Sequence, residues 1–366
     1  MTNVYLIRHA EAEGNIYRRV HGHYDSHLTP RGRMQIDALV EHFKDIHLDG
    51  VYTSDLTRAK KTAEPLAEDH KVPLHIFKTL RECAQGVWED VTWGDVEWID
   101  PEQYHNYLYD PAKWNCTGCE RFYPLQRRIT KAVQEIAAEN DGKTIAVITH
   151  GYAIRAFMCG VYGMDPSEIT KLPHCDNAGV SLLKVENGQI SVDYFADNKY
   201  LPEEISTFAH QNWWRMNSDK DDRNLHFTDI SGASFDIYVR FLKDWYKLCG
   251  KEVTDLTVKD AMVRSAFNPK SIVIGYIGDE PVGCIDVDAE KGRINFVYLD
   301  ETYRGRGLAV QLIGHAVNVC RDAGHDKMSV VLPDYLKASI AFFKADYYYI
   351  AEDDGTCVTM EKDLSI

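Results

Sequence analysis

The chain has 366 residues, 45% of them apolar and 27% charged, with a formal net charge of −15 at neutral pH. Two domains are expected at about 150 residues each, and the excess of acid excludes a nucleic-acid or anionic-membrane partner held by bulk charge. Nine cysteines are too few, and odd in number, for a disulfide scaffold. No apolar run is long enough to span a bilayer, and Arg8 comes too early for a signal peptide. The expectation is a cytoplasmic protein with free thiols. An anionic substrate would therefore need a positive field built locally.

In chain order, Val4–Ile7 is an apolar, strand-like run that stops at Arg8-His9 and passes into a polar segment with Gly14 and Asn15. Ligands of open α/β sheets bind beyond the carboxyl ends of parallel strands, so His9 is a site candidate with a permanent cation beside it. Thr29-Pro30 opens a helix, as an N-cap and a proline tolerated at the first position; Ile36, Leu39, Val40 and Phe43 give its apolar face. Gly50–Thr53 is a short strand. The next helix carries Leu56, Ala59, Ala63, Leu66 and Ala67 on one face, with Arg58 in its first turn. A longer helix is expected over Arg121–Ala138, and Thr144–Thr149 is a buried strand that ends at His150-Gly151. A helix follows at once, and the N–H groups at its start suit a phosphate. Val180–Val185 and Ile190–Phe195, split by Asn187-Gly188, form a hairpin. Alternating strands and helices indicate a layered α/β domain. Two of its strands end in histidine, which places both imidazoles at one sheet edge if the strands are parallel neighbours.

The combination resembles the histidine phosphatase, or phosphoglycerate mutase-like, superfamily over residues 1–202. The resemblance rests on Arg8-His9 with Asn15 (Ala10 replacing the usual glycine), His21-Gly22, Asp25, Leu28-Thr29, Gly32 and Gln35. It continues through Thr53-Ser54-Asp55-Leu56, Arg58-Ala59, Thr62-Ala63, Leu80-Arg81-Glu82, Gly86, Trp88-Glu89, His150-Gly151 and Asn177-Ala178-Gly179. It implies a three-layer α/β/α fold and a phosphohistidine formed on His9. It also implies that Arg8, Arg58 and His150 hold the phosphoryl oxygens, and that Asn15, His21, Gly22 and Gly151 contribute to substrate binding. Glu82 then serves as proton donor, its pKa raised beside the dianionic phosphate. No metal is required, because arginine and imidazole carry the positive charge.

Trp88, Trp93, Trp98, Tyr104, Tyr107, Tyr109, Trp114, Phe122 and Tyr123 crowd the stretch between Glu82 and His150. They read as a satellite core with a few rings lining the pocket. The stretch is short for a dedicated glycolytic mutase, so hydrolysis of a small phosphorylated metabolite is preferred, with a mutase as the alternative. Cys116-Thr-Gly-Cys119 is either a redox pair or half of a zinc site. The only remote partner for it is Cys175 beside His174, so no metal is expected.

Residues 203–222 read as an interdomain segment, with Trp213-Trp214 packing between domains and a charged run from Ser218 to Arg223. In 223–366, helices are expected over Ile237–Leu248 and Val258–Phe267, and strands over Ser271–Tyr276, Pro281–Val287 and Arg293–Leu299. Asp279-Glu280 is read as the turn between the first two strands. A helix from Ala309, a strand Met328–Leu332, a helix Ala338–Lys344 and two last strands complete the half. The third strand runs into Arg304-Gly305-Arg306-Gly307-Leu308-Ala309, where glycines let backbone N–H groups approach a pyrophosphate.

That segment resembles the pyrophosphate motif of GNAT N-acetyltransferases, a mixed-sheet α/β fold, over roughly residues 223–366. The resemblance implies acetyl-CoA as cofactor, held by residues 304–309 and by the strand edge at Val297 and Leu299, and an amine acceptor. Phe343 stands where the family often has an acidic tyrosine, with Tyr347 and Tyr348 as the nearby substitutes. Ile294–Leu299 holds no carboxylate, which leaves Asp286, Asp288, Glu301 or a water chain as candidate bases. A GNAT half that senses acetyl-CoA without transferring the acetyl group is the alternative.

Overall fold

The computed structural model describes residues 1–211, 224–232 and 234–365. Trp213, Trp214 and the charged run from Ser218 to Arg223 lie outside the described residues. The chain divides into two compact units, Met1–Val91 with Ile99–Asn217, and Thr92–Trp98 with Ser218–Ile366.

In the first unit, β1 (Thr2–Arg8) leads through α1 (Glu13–Ile16) to α2 (Pro30–Phe43), β2 (Gly50–Thr53), α3 (Thr57–His70) and β3 (Leu74–Ile76). Next in the chain are α4 (Trp93–Ile99), which groups mainly with the second unit, and α5 (Pro101–Tyr109). Then come α6 (Phe122–Glu139), β4 (Thr144–Thr149), α7 (Gly151–Val161), β5 (Val180–Glu186) and β6 (Gln189–Asp197). The sheet order is β3-β2-β4-β1-β5-β6. Its first four strands are parallel, and β5 and β6 are antiparallel.

Local chemistry accounts for the boundaries. The Thr29 side chain accepts the Gly32 N–H and caps α2, whose first residue is Pro30. Asn187 and Gly188 take φ of 51° and 78° in the β5–β6 turn, the left-handed pair that a two-residue hairpin requires. One sheet face buries Ile7, Ala146 and Ile148 with Leu39 and Phe43 of α2 and Ala59, Ala63 and Leu66 of α3. Leu6 and Val147, equally buried, point the other way by the two-residue period of a strand, and α6 and α7 pack on β1. The three-layer α/β/α arrangement is complete.

Residues 203–210, read from sequence as part of an interdomain segment, are fastened to this unit. The Ile205 carbonyl accepts from Gln35 at 2.8 Å, Ser206 Oγ donates to Asp176 at 2.7 Å, and Thr207 Oγ1 donates to Glu11 at 2.9 Å. Trp93 and Trp98, by contrast, leave the aromatic group to which they were assigned. In the second unit, Thr92 Oγ1 donates to the Leu225 carbonyl at 3.3 Å and the Phe227 N–H donates to Asp95 at 2.7 Å. Gly94 permits this, since a Cβ there would lie 2.1 Å from the Leu225 oxygen.

The second unit contains β7 (His226–Asp229), α8 (Phe235–Leu248), α9 (Asp255–Phe267), β8 (Ile272–Ile277), β9 (Glu280–Asp288) and β10 (Arg293–Leu299). After these come α10 (Ala309–Asp322), β11 (Lys327–Pro333), α11 (Lys337–Ala345), β12 (Tyr349–Asp353) and β13 (Cys357–Asp363). The sheet order is β12-β13-β11-β10-β9-β8-β7. Every neighbour is antiparallel except β10 and β11. The β8–β9 turn is Gly278-Asp279, one residue earlier than the sequence reading, because Gly278 supplies the positive φ of 55°.

Candidate active site

The register of β1 and β4 decides the site. Arg8 pairs with Thr149, so His9 and His150 leave the sheet side by side, with ring centroids 5.1 Å apart. Ser54 follows Thr53, which pairs with Ile148, and meets the same edge. Three parallel strands thus deliver their next residues to one place, where an α/β sheet binds ligands.

His9 is almost fully buried. Its Nδ1 lies 2.8 Å from the Ala10 carbonyl. A carbonyl can only accept, so Nδ1 carries the proton and Nε2 keeps its lone pair. Burial first, then the Arg58 and Arg8 charges, hold its pKa well below the ordinary value. The ring is a neutral base with a defined tautomer.

Two buried arginines supply the charge. Arg8 Nη1 donates to the Cys175 carbonyl at 2.6 Å. Arg58 Nη1 donates to the Tyr24 carbonyl at 3.0 Å, and Nη2 donates to those of His21 and Gly22 at 2.8 and 2.7 Å. Burial pulls the Arg58 pKa down to about 10, with nearby carboxylates opposing, so it stays protonated at neutral pH. Nε of each arginine is buried and has no hydrogen-bond partner among the described residues. Gly151 lies close, and a Cβ there would come within 3.1 Å of Arg8 Nε.

His150 completes the cluster. Ser54 Oγ lies 2.7 Å from its Nε2 and accepts the Leu56 N–H at 3.4 Å. The hydroxyl can donate to Nε2, and in that tautomer the proton is on Nδ1, a buried atom with no hydrogen-bond partner among the described residues. Burial, then Arg58, lowers the His150 pKa well below its ordinary value. His21 stands edge-on to His9 at 5.8 Å, its Nδ1 on Ser26 and its Nε2 3.3 Å from Asn15 Nδ2. Asn15 Oδ1 accepts the Ala12 N–H at 2.9 Å. Gly22 contributes its carbonyl to Arg58 and has no space for a side chain, since a Cβ would lie 2.3 Å from the Cys83 oxygen.

Glu82 lies at the start of α7. Its Oε1 accepts from Cys83 and Ala153 N–H, both at 2.8 Å, and its Oε2 accepts from Tyr152 N–H at 2.9 Å. The N–H groups expected from sequence to face a phosphate are therefore largely taken by this carboxylate. A helix N-terminus favours any anion, and Glu82 is the anion covalently at hand.

Three positioning residues carried no assigned role in the sequence reading. Thr62 Oγ1 accepts the Ala10 N–H at 3.0 Å and donates to the Arg58 carbonyl at 2.7 Å, tying the His9 loop to the Arg58 helix. Asn177 Nδ2 donates to the His9 carbonyl at 3.0 Å. Glu89 accepts from His23, Tyr24 and Gln85 N–H groups. Only their partners in space separate them from neighbouring polar residues. The rings of Trp88, Tyr107, Trp114 and Tyr152 pack on one another, Tyr107 stacked on Tyr152 at 4.5 Å. Trp88, Tyr107 and Trp114 belong to the expected satellite core; Tyr152 joins them, whereas Tyr123 is exposed.

This arrangement can seat a tetrahedral dianion between two guanidinium groups and a ring N–H, with a neutral imidazole facing it. Among the described residues no cluster of histidine, cysteine or carboxylate could hold a metal ion. No helix of the described residues is long and apolar enough to cross a membrane.

In the second unit, β10 pairs with β11 only at Arg293–Ser329 and Ile294–Val330. Beyond these pairs the strands part, and Val297 and Leu299 have no ladder partner on that side. Gly305 and Gly307 take φ of 75° and 77°, and nothing lies within 4 Å of a Cβ built on either. Arg304 Nε donates to the Leu299 carbonyl at 2.9 Å, and Arg306 donates to that of Thr302 at 2.8 Å. Leu308 and Ala309 begin α10. An open, glycine-bent loop at a helix N-terminus suits a pyrophosphate, so the residues fit the CoA group that the sequence implies.

The candidate bases are constrained. Asp286 is buried and engaged by Tyr238, Arg264 and Asn295 at 2.7 to 2.8 Å. Asp288 is bonded to Lys291. Phe343 is buried against Tyr348, whose phenol is itself buried and pushed far up in pKa by that burial.

Comparison with known proteins agrees with both halves. Residues 4–198 match the histidine phosphatase superfamily (branch 1), and residues 236–347 match the acetyltransferase (GNAT) family. Phosphoserine phosphatase 1 of Hydrogenobacter thermophilus is 29% identical over 186 residues, 51% of this chain and 88% of the relative. A metal-independent phosphoserine phosphatase of Arabidopsis thaliana is 28% identical over 213 residues, 57% of this chain and 83% of its own. Among solved structures, Bacillus stearothermophilus YhfR matches with a TM-score of 0.53 at 29% identity, over 55% of this chain and 99% of that one. A phosphoserine phosphatase of Entamoeba histolytica, solved as a histidine-to-alanine mutant with phosphoserine, matches with a TM-score of 0.50 at 26% identity, over 55% and 100%. The strands, the paired histidines and these matches lead to one conclusion: the chain belongs to the histidine phosphatase superfamily (branch 1) and carries a GNAT acetyltransferase domain in its second half.

Proposed function

We propose that the first unit hydrolyses the phosphomonoester of a small metabolite through a phosphohistidine on His9. The observation that carries this reading is the His9 tautomer, with Nδ1 spent on Ala10 and Nε2 bearing a lone pair on a ring kept neutral by burial and two arginines. Nε2 attacks phosphorus and the ester P–O bond breaks. Glu82, which the dianionic phosphate bound beside it would keep protonated against the pull of its backbone N–H partners, gives that proton to the departing oxygen. Arg8, Arg58 and His150 Nδ1–H hold the equatorial oxygens, where transition-state charge gathers, and Asn15, His21, Gly22 and Gly151 shape the rest of the cradle. Glu82 then takes a proton from water, whose oxygen attacks the phosphohistidine; phosphate leaves and Nε2 is restored. Arginine and imidazole supply the positive charge, and the reading assigns this unit no cofactor.

The named relatives make phosphoserine the first compound to try. The test is a panel of phosphorylated metabolites with the wild type and His9→Ala. Phosphate release that depends on His9 is expected; release that survives His9→Ala ends this reading.

For the second unit we propose an acetyl-CoA-dependent N-acetyltransferase. The cofactor's pyrophosphate would be held by Arg304, Gly305, Arg306, Gly307, Leu308 and Ala309, and its arm by the strand edge at Val297 and Leu299. The bound group supplies an activated acetyl thioester. A second reading, acetyl-CoA binding without transfer, is favoured by Asp286, whose carboxylate is already engaged by an arginine, an asparagine and a tyrosine. Calorimetry with acetyl-CoA, beside thiol release over a panel of amines, separates the two. Amine-dependent thiol release supports transfer, and tight binding with silence across the panel supports the sensor.

A further inference from the structure

Cys116 and Cys119 have no part in the chemistry above. They close a four-residue turn, with the Cys119 N–H donating to the Cys116 carbonyl at 3.1 Å and Gly118 at a φ of 77°. A β-turn keeps its end Cα atoms within about 7 Å, which overlaps the span of a disulfide. The two thiols lie close enough to perturb one another. Cys116 is buried, and Cys119 is partly exposed.

The turn is clasped to the segment that begins at Glu82. The Glu120 N–H donates to the Ala84 carbonyl at 2.8 Å, and Gln85 bridges to Cys119. Cys116 Sγ donates to the Gln85 carbonyl at 3.1 Å and Cys83 Sγ donates to that of Glu120 at 3.2 Å. There is no slack between the two strands: a Cβ on Gly86 would lie 2.1 Å from the Thr117 oxygen and 2.6 Å from the Cys119 nitrogen. Three residues before Gln85, the Glu82 carboxylate takes the Cys83 N–H. A change in the turn therefore reaches Glu82 through a short, closely packed run of backbone.

We propose that Cys116 and Cys119 are a reversible disulfide site, oxidised by a small-molecule disulfide of the glutathione type, and that the disulfide lowers turnover at the His9 site. The second clause rests on the phosphatase reading; the first does not. Cys119, the more exposed sulfur, attacks through the small thiolate fraction that its burial-raised pKa leaves. It forms a mixed disulfide and releases one small thiolate. Cys116 then loses its proton to solvent and displaces the second. Two protein thiols and one small disulfide become one protein disulfide and two small thiols; the electron pair passes to the small molecule. Joining the sulfurs removes the Cys116 hydrogen from the Gln85 carbonyl. The turn cannot move inward against Gly86, so it moves outward and draws the 83–85 backbone with it. In a reducing compartment such a bond forms transiently, as a response to oxidant.

The full-length protein is equilibrated in glutathione buffers from fully reducing to strongly oxidising, then alkylated, digested and weighed. Phosphate release is measured first on the reduced protein, so that inactivity there counts against the phosphatase reading alone. The expected result is a peptide joining Cys116 to Cys119 under oxidising buffer. A fall in kcat of at least about threefold follows its formation, reversed by dithiothreitol. Cys119→Ser and Cys116→Ser, made separately, keep the reduced kcat and lose the response. Failure of the joined peptide to appear in any buffer overturns the site, and this is read on the wild type without a variant. A joined peptide with unchanged kcat, or serine variants that respond as the wild type does, overturns the control.

Discussion

Ser54 Oγ stands 2.7 Å from Nε2 of His150 and holds that ring from the far side of the proposed phosphoryl position. When the hydroxyl donates, the bond holds the tautomer whose Nδ1 bears hydrogen, the form the proposed mechanism uses. Ser54→Ala frees the ring to carry its proton on either nitrogen and removes one buried hydrogen bond, worth about 1 kcal/mol. The expected outcome is a drop in kcat/KM of roughly five- to tenfold with the melting temperature lowered by only about 2–4 °C. Steady-state kinetics on the preferred phosphomonoester checks it, and an unaltered kcat/KM removes Ser54 from the mechanism.

Glu82→Gln separates acid catalysis from binding. Glutamine keeps the shape but presents an NH2 where one backbone N–H now donates, so α7 loses about 1–3 kcal/mol at its start. Loss of the proton donor costs about 10²- to 10⁴-fold on an alkyl phosphate. In kcat/KM, which reports the phosphorylation step alone, an ester such as p-nitrophenyl phosphate, whose leaving group needs no proton, loses far less, whereas kcat falls on both because the water step also uses Glu82. Equal losses in kcat/KM on both substrates would deny Glu82 the acid role.

The buried imidazoles set an acid limit on stability. His9, His21, His150 and His174 are all held well below their ordinary pKa, each chiefly by burial. In the unfolded chain they titrate near about 6.5. Between the folded and unfolded values the unfolded chain binds more protons, so stability rises with pH there. Their contribution is present above about pH 6.5 and is lost as pH falls toward the folded values. Melting temperatures of the first unit from pH 8 to 5 should decline below about 6.5, as unfolding free energy falls by up to about 1.4 kcal/mol per pH unit for each histidine. His21→Asn should flatten the slope by one proton. Equal melting temperatures at both ends of that range would refute the assignment.

Gly305 and Gly307 adopt left-handed backbone with open space around them. Alanine at both costs about 1–2 kcal/mol each in backbone strain and sets methyl groups where a pyrophosphate would approach. Calorimetry should show affinity for CoA falling at least about tenfold, with the second unit still folded by circular dichroism. Undiminished affinity would move the cofactor away from this loop.

Much of the first site was legible because its residues terminate apolar runs. Ile7-Arg8-His9 and Thr149-His150 mark strand ends, and the parallel register that aligns them follows from the alternation of strand and helix. Arg58 was legible from its place in the first turn of a helix. The fate of the α7 N–H groups was not, since nothing local says that Glu82, 70 residues away from Tyr152, returns to take them. Trp93 and Trp98 were misassigned for a related reason. Aromatic composition does not say which core a ring joins; here Gly94 and Asp95 decide it by backbone contacts with Leu225 and Phe227, which sequence distance hides. In the second unit the glycine loop was plain, but the engagement of Asp286 by Arg264 depends on a helix and a strand whose facing positions carry no motif.

Arg58 is oriented by three backbone carbonyls and Arg8 by one, neutral dipoles that aim a guanidinium without cancelling its charge. Inorganic phosphate, the last species to leave, offers these cations the same oxygens as the group it came from. In the proposed mechanism a clamp built this way would hold its product, which makes inorganic phosphate an expected inhibitor, competitive with the ester.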